Sequence, residues 1–264
     1  PRFWATVSLW NYGERNENML KDAVKTKNDI VHWIQNYFEK NGPECSAVVG
    51  ISGGKDSSIV AALCVEALGR DRVIGVLMPN GLQLDISDSV EVCQTLGICS
   101  VTVNIGATCS ALTEQLMRSA LSSRQAEINM PPRIRMAALY AVAQSLPHGG
   151  RVANTCNYSE DYVGYSTKFG DSAGDFSPLA SLTVHEVRQI GYELPLPTRL
   201  VDKTPSDGLC GKTDEDNLGM TYRQLDDFLE KGTSGDEALD ACIHRMHLAN
   251  VHKLLPMPQY YLKR

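Results

Sequence analysis

Residues 46–58 read Ser46-Ala47-Val48-Val49-Gly50-Ile51-Ser52-Gly53-Gly54-Lys55-Asp56-Ser57-Ser58, and the fold class follows from this stretch. Ala47, Val48, Val49 and Ile51 form a short apolar run of the kind found in a strand buried within a parallel sheet. Ser52, Gly53 and Gly54 make a turn that brings backbone N–H groups close to a ligand, because glycine has no Cβ to clash. From about Ser57, the residues Ile59, Val60, Ala62, Leu63, Ala67 and Leu68 recur at helical spacing, and Gly69 is a C-cap. A strand, a glycine turn and a helix N-terminus in succession form an anion-binding nest suited to phosphate. The plain alternative is a glycine-rich turn with no ligand, against which stand the glycines, hydroxyls and acid that converge on one helix start. This is not a Walker A loop: Val49 stands where that loop needs its first glycine, and Asp56 where Ser or Thr follows the lysine.

The chain of 264 residues is 43% hydrophobic, enough to bury one substantial core, so residues 1–264 are read as a single domain with excursions. No apolar run approaches the ~20 residues that span a bilayer. The N-terminal segment Pro1–Trp10 is apolar but short and lacks a small-residue cleavage pattern; an added strand and a flap on a neighbour both remain open. A net charge of −6 opposes a nucleic-acid surface, which is normally basic, so anionic substrates need local cations and backbone N–H groups. The eight cysteines form no Cys-x-x-Cys pair, which disfavours zinc or a redox pair and fits reduced thiols in a cytoplasmic protein.

Outward from the opening stretch, strands and helices alternate, which predicts an α/β fold: a parallel sheet with helices on both faces. A helix is predicted over 20–40, strands over 47–51, 72–77, 100–105 and 151–155, and helices over 87–96, 112–121 and 130–144. Pro131 and Pro132 suit the first turn of the last of these, where a missing N–H is no loss. Residues 158–178 are rich in Gly, Asp, Ser and aromatics without a period; such a stretch beyond a parallel strand is where these sheets place ligands. Helices over 184–194, 222–231 and 237–248 close the chain, with 195–218 irregular, and 80–90 and 204–225 read as lids.

Ser52-Gly53-Gly54-Lys55-Asp56-Ser57 resembles the pyrophosphate loop of the N-type ATP pyrophosphatases, which split ATP between its α and β phosphates. Three further blocks extend the likeness. Asn129-Met130-Pro131-Pro132-Arg133-Ile134-Arg135-Met136 resembles an Asn-x-x-x-Arg-x-Arg-Met signature; Asn154–Asp161 with Gly164–Asp171, and Lys203–Ser206 with Thr213–Gly219, follow in order. Together they resemble the ammonia-dependent NAD synthetases over roughly residues 20–255. The resemblance implies a Rossmann-like, adenine nucleotide alpha hydrolase-like fold and a homodimer. It implies ATP-dependent amidation of nicotinate adenine dinucleotide by ammonia through an acyl-adenylate, with Mg²⁺ as the metal and ATP as co-substrate.

The same resemblance assigns roles. Ser52, Gly53, Gly54, Ser57 and Ser58 hold the β- and γ-phosphates, although helix capping competes for the two later serines. Asp56 and Glu160 are the metal carboxylates; their alternatives are a helix-dipole aspartate and a solvated loop glutamate. Lys55 is charge-complementary to pyrophosphate, Lys168 neutralises phosphoryl charge, and Thr155, Gln83 and Ser206 line the ATP side. Asp171 and Asp175 face the dinucleotide, and Asp171 is the candidate to position ammonium and accept its proton, with ribose binding as competitor. Tyr37, Arg133, Tyr140, His252 and Lys253 contact the dinucleotide; the tyrosines are equally legible as core residues, and the histidine as structural. Arg133 and Arg135, two apart on a helix, point different ways.

Departures from the family pattern are Leu77 in place of an arginine, Val184 in place of a lysine and Gln125 in place of an aromatic. Lys55, Lys203 and Lys212 are the cations that could compensate. Other pyrophosphate-loop enzymes, such as a GMP synthetase ATPase domain or a tRNA-thiolating enzyme, form the alternative. The Asn-x-x-x-Arg-x-Arg-Met block disfavours the first, and the acidic charge without Cys-x-x-Cys disfavours the second. A non-catalytic nucleotide sensor could drop the metal carboxylates, yet Asp56 and Glu160 are both present.

Overall fold

The computed structural model describes residues 20–83, 85–121, 123–204 and 213–262, so Ser206, Lys212 and the N-terminal aromatic segment lie outside the described residues. In chain order the elements are α1 (Ala23–Asn41), β1 (Ser46–Gly50), α2 (Lys55–Leu68), β2 (Val73–Leu77), α3 (Ile86–Leu96), β3 (Cys99–Thr102), α4 (Gly106–Arg118), α5 (Arg124–Ser145) and β4 (Gly150–Val152). There follow α6 (Tyr158–Val163), α7 (Val184–Tyr192), α8 (Thr198–Val201), α9 (Asp214–Leu218), α10 (Tyr222–Lys231) and α11 (Glu237–Asn250).

The strands form one parallel sheet in the order β3-β2-β1-β4. Val48 of central β1 lies opposite Ile74 of β2 and Val152 of β4. Alternation along β1 sends Ala47 and Val49 to one face and Val48 to the other. On the first face they pack with Phe38 of α1, Ile59 and Leu63 of α2, Val92 of α3 and Ile190 of α7. On the second, Val48 meets Val76 and Val152 beside Cys109 of α4 and Met136 and Leu139 of α5. Each fully buried aliphatic side chain contributes about 1.5–3 kcal/mol, and this two-sided burial is why β1 and β2 read as continuous apolar runs, while the edge strand β3 is exposed along its length. The expected sheet with helices on both faces is what the structure has. A further cluster joins Tyr162 of α6, Tyr222, Leu225 and Phe228 of α10, and Ile243 of α11.

From β1 the chain proceeds outward to β2 and β3, then returns to place β4 on the other side of β1. Connections leaving β1 and β4 therefore diverge, and the crevice at their C-terminal ends is where such sheets bind ligands. The glycine turn leaves β1 there, and 153–177 leaves β4 there.

Three expectations are corrected. Helix α5 starts at Arg124, capped by the Ser123 side chain on the Ala126 N–H, so Pro131 and Pro132 lie in its interior and not in its first turn. The two prolines remove N–H groups from the helix ladder; buried Met130, Pro131 and Met136 hold the axis to the sheet across that gap. Residues 158–178 are not wholly irregular, because Asn157 and Glu160 form a capping box that starts α6, a helix of 6 residues and too short to show a period. The segment 195–218 likewise contains α8 and α9.

Among the described residues no helix is long and apolar enough to cross a membrane. The seven described cysteines are unpaired thiols.

Candidate active site

The glycine loop is locked by its own hydroxyls. The Ser52 Oγ accepts from the Gly54 N–H (3.1 Å) and lies 3.1 Å from Ser57 Oγ, while the Ser58 hydroxyl donates to the Gly54 carbonyl at 2.7 Å. Gly53 adopts φ +75°, and a Cβ there would lie 2.8 Å from Asp88 Cβ and 2.9 Å from the Ser89 nitrogen of α3. Only glycine allows both that backbone and that approach. The N–H groups of Lys55, Asp56 and Ser57, in the first turn of α2, find no acceptor among the described residues. These are the orphan donors that make a helix start attractive to anions. Ser57 and Ser58 donate back to the Gly54 carbonyl and hold the loop without capping α2, whose N-cap Gly54 has no side-chain cap bond, and N–H donors are left for a ligand. Lys55 does not project into solvent: its ammonium is buried and pairs with Asp56 Oδ1 at 2.6 Å.

Asp56 and Glu160 meet across Asn157. The Asn157 side-chain amide donates to Asp56 Oδ1, and the Asn157 backbone N–H to Glu160 Oε2, each at 3.4 Å. Burial pushes the Glu160 carboxyl well above the ordinary range, the charge of Asp56 pushes it further, and Lys55 opposes both. Two enclosed carboxylates with one shared lysine leave an excess of negative charge, and oxygen donors beside a phosphate nest suit Mg²⁺. Among the described residues no three acidic, His or Cys side chains converge as a complete metal cage, so phosphate oxygens and water would supply the remaining ligands.

The second group of expected residues gathers beyond β4. The Asp171 carboxylate accepts the Thr167 N–H at 2.9 Å, and its backbone carbonyl accepts from Asn154 Nδ2 at 2.7 Å. Asp171 keeps one side open to solvent, yet the protein enclosing the rest desolvates its carboxyl and raises it, opposed by the Thr167 N–H and Lys253. Lys253 donates to the carbonyls of Gly164 and Ser166 at 2.7 and 3.0 Å, and Lys168 to that of His252 at 2.8 Å. Arg133 donates to the Lys168 carbonyl at 3.1 Å; Arg135 turns instead to the Met78 carbonyl at 3.1 Å, where burial lowers its pKa. Asp171, Lys168, His252, Lys253 and Arg133 therefore belong to one neighbourhood.

Tyr37, Tyr140 and Asp175 form another, at the free side of β4. Asp175 accepts from the Val152 N–H at 2.7 Å and from the Tyr140 hydroxyl at 3.2 Å, which with burial pushes that phenol up to about 12. Tyr37 stacks on Phe176 with ring centroids 5.1 Å apart. Gln83 donates to Asp85 Oδ1 at 3.0 Å, and Thr155 is half-buried just past β4. Of the departures, Leu77 and Val184 are core residues and Gln125 lies exposed in the first turn of α5.

Sequence reasoning missed Asn157, whose signal was the Asn-x-x-Glu capping box, and Asn154, which is buried and ties 154–177 together through Cys156, Asp171, Ala173 and Ser177. Lys203, one of the cations expected to compensate for the missing arginine and lysine, pairs with Asp88 at 2.6 Å and Asp85 at 3.3 Å, against the glycine loop.

A model of the NAD synthase family matches residues 26–264. The NH(3)-dependent NAD(+) synthetase of Methanococcoides burtonii is 38% identical over 218 residues, 81% of this chain and 82% of its own. Among solved structures, an NMN synthetase from Francisella tularensis superposes with TM-score 0.83 at 31% identity, covering 91% of this chain and 99% of that one. The NAD+ synthetase of Burkholderia pseudomallei gives TM-score 0.74 at 30% identity over 90% and 92% of the two chains. With the glycine loop, the paired carboxylates and the crevice between β1 and β4 in place, the chain belongs to the NAD synthase family.

Proposed function

We propose that this chain converts nicotinate adenine dinucleotide to NAD, with ATP as co-substrate and ammonia as nitrogen donor. The observation that carries the reading is the run of N–H groups at the start of α2 that find no acceptor among the described residues, beside Asp56 and Glu160. In the first step a nicotinate carboxylate oxygen attacks the α-phosphorus of ATP. An O–P bond forms, the bond between the α-phosphorus and its bridging oxygen breaks, and pyrophosphate leaves. The N–H donors of Lys55, Asp56 and Ser57 are placed to hold the departing charge without reorganising. Asp56 and Glu160 would hold Mg²⁺, whose chemistry is to neutralise that diphosphate. In the second step ammonia attacks the carbonyl carbon, the C–N bond forms, the bond to AMP breaks, and Asp171 accepts the proton lost by nitrogen. A desolvated carboxyl with a raised pKa is better matched to that task than an ordinary aspartate. Lys168, Arg133, His252 and Lys253 would hold the mononucleotide end of the substrate, and Tyr37, Tyr140 and Asp175 the adenylyl end. A second copy of the chain would complete the site, giving a homodimer.

A second reading has the same chemistry with a shorter acid, nicotinate mononucleotide. It is supported by the closer superposition on the Francisella tularensis NMN synthetase than on the Burkholderia pseudomallei NAD+ synthetase. The test is an assay of the purified protein with Mg-ATP, ammonium and each acid in turn, following amide product and AMP. The dinucleotide is expected to give the higher kcat/KM. A preference of about 100-fold for the mononucleotide, near 2.7 kcal/mol of transition-state binding, would install the second reading. No amide and no AMP from either acid would end both.

A further inference from the structure

One buried amide joins the strand that ends at the crevice to the loop that carries Asp171. Asn154, two residues past β4, is 7% exposed, and its backbone N–H donates to the Phe176 carbonyl at 2.8 Å. Its side chain uses every hydrogen-bonding position it has. Nδ2 donates to the backbone carbonyls of Asp171 (2.7 Å) and Ala173 (3.2 Å), while Oδ1 accepts from the Cys156 N–H and the Ser177 hydroxyl, both at 2.9 Å. Two carbonyls that only accept and an N–H that only donates leave the amide one orientation. Gly174 lets the loop lie this close: a Cβ there would stand 2.8 Å from the Asn154 nitrogen and 2.9 Å from its Cβ.

The loop held by this amide is under strain. Phe169 has φ +62°, in the left-handed region that a side chain disfavours, and residues held there persist only where their surroundings over-determine them. On one side the Thr167 N–H reaches the Asp171 carboxylate at 2.9 Å, and the Thr167 hydroxyl reaches Asn129 of α5 at 2.8 Å. On the other, the main chain of Asp171 is held by Asn154. The turn that presents Lys168 and Asp171 on either side of Phe169 is thus pinned at both ends. We propose that Asn154 is a positioning residue for the amide-forming step: through the carbonyls of Asp171 and Ala173 it fixes the Asp171 carboxylate where ammonium is bound and its proton accepted. The inference rests on the reading of Asp171 as the group that takes this proton and extends it to the residue that aims it. A misplacement of about 1 Å at a reacting group can cost roughly 100-fold in rate, so the effect of an aiming residue is large enough to measure.

The test separates the two chemical steps. Asn154→Ala is assayed for exchange of pyrophosphate into ATP, which reads adenylate formation, and for amide formation against ammonium concentration at saturating ATP and acid. Exchange is expected to stay within about twofold of the unaltered chain, while kcat/KM for ammonium falls roughly 20-fold. Hydroxylamine is uncharged at neutral pH and needs no proton removed before it attacks, so with it the loss is expected to be only about threefold to fivefold. Equal losses of exchange and amide, or equal losses with the two nucleophiles, mark a merely structural role and overturn the proposal, as does an unchanged amide step. Should Asn154→Ala fail to fold, Ser177→Ala removes a single bond to Oδ1; a loss of about twofold to threefold in kcat/KM for ammonium alone is expected, and no loss overturns the proposal. Asp171→Asn separates the two levels. If that variant loses exchange and amide alike, the reading of Asp171 as base is wrong and the inference goes with it; if it loses the amide step alone while Asn154→Ala and Ser177→Ala keep it, only the present inference is lost.

Discussion

At Gly53 one missing carbon decides whether the nest exists. Ala at this position would hold a positive φ and drive a Cβ into Asp88 and the Ser89 nitrogen. Gly53→Ala is expected to cost about 1–3 kcal/mol of stability and to abolish binding of the ATP analogue, measured by denaturant unfolding and calorimetry. Asp171 offers a different test, because the proposed mechanism gives it a part in the second step only. Asp171→Asn is expected to retain exchange of pyrophosphate into ATP while amide formation falls about 100-fold or more; equal loss of both would assign Asp171 to binding. Residues such as these were legible because their types carry chemistry at fixed spacing. Lys55 was legible in kind but not in direction, since its pairing with Asp56 depends on a rotamer. Asn157 acts through a neighbour that only folding brings close, Asp56, 101 residues away.

Between elements, Asp226 of α10 is the clasp. It is 2% exposed, accepts the Ser159 hydroxyl of α6, and takes both the backbone N–H (3.1 Å) and ring Nδ1 (2.7 Å) of His185 in α7. Asp226→Ala is expected to cost about 3 kcal/mol in denaturant unfolding, since three partners lose their acceptor. The bond to Asp226 raises the His185 pKa against the opposing effect of burial, with Glu230 adding to the rise and Arg188 reducing it. A raised folded value means the protonated ring stabilises fully below the ordinary histidine value of about 6.5, and that this stability fades as pH rises through the folded value. His185→Ala should therefore destabilise more near pH 6 than near pH 8.5, by no more than about 1 kcal/mol, because the imidazole is 40% exposed and partly screened. The strands and long helices of the sheet were legible through their apolar periods. Helices α6, α8 and α9 were not, for 4 to 6 residues contain no period to read. The interior placement of Pro131 and Pro132 also escaped, because packing of Met130 and Met136 overrode a local rule.

For the molecule as a whole, homodimerisation predicts a species of twice the 29.0 kDa chain mass in sedimentation at micromolar concentration; a purely monomeric boundary with full amidating activity would remove the second copy from the site. The sheet order that creates the crevice could be expected in kind from alternation of strand and helix, whereas the position of β4 beside β1 is a long-range pairing that local sequence does not encode. The contact of Gly53 with the first turn of α3 reaches further than its size suggests. The side chains of Arg199 and Lys203 are anchored to the same turn through Asp88, so three separated stretches of chain are tied together at this one contact. The loop is consequently not a portable cassette: transplanting residues 52–58 into a relative without 85–91 and 199–203 should yield a chimaera that folds yet no longer recognises nucleotide. Descent would have to alter these three stretches in concert or leave them alone.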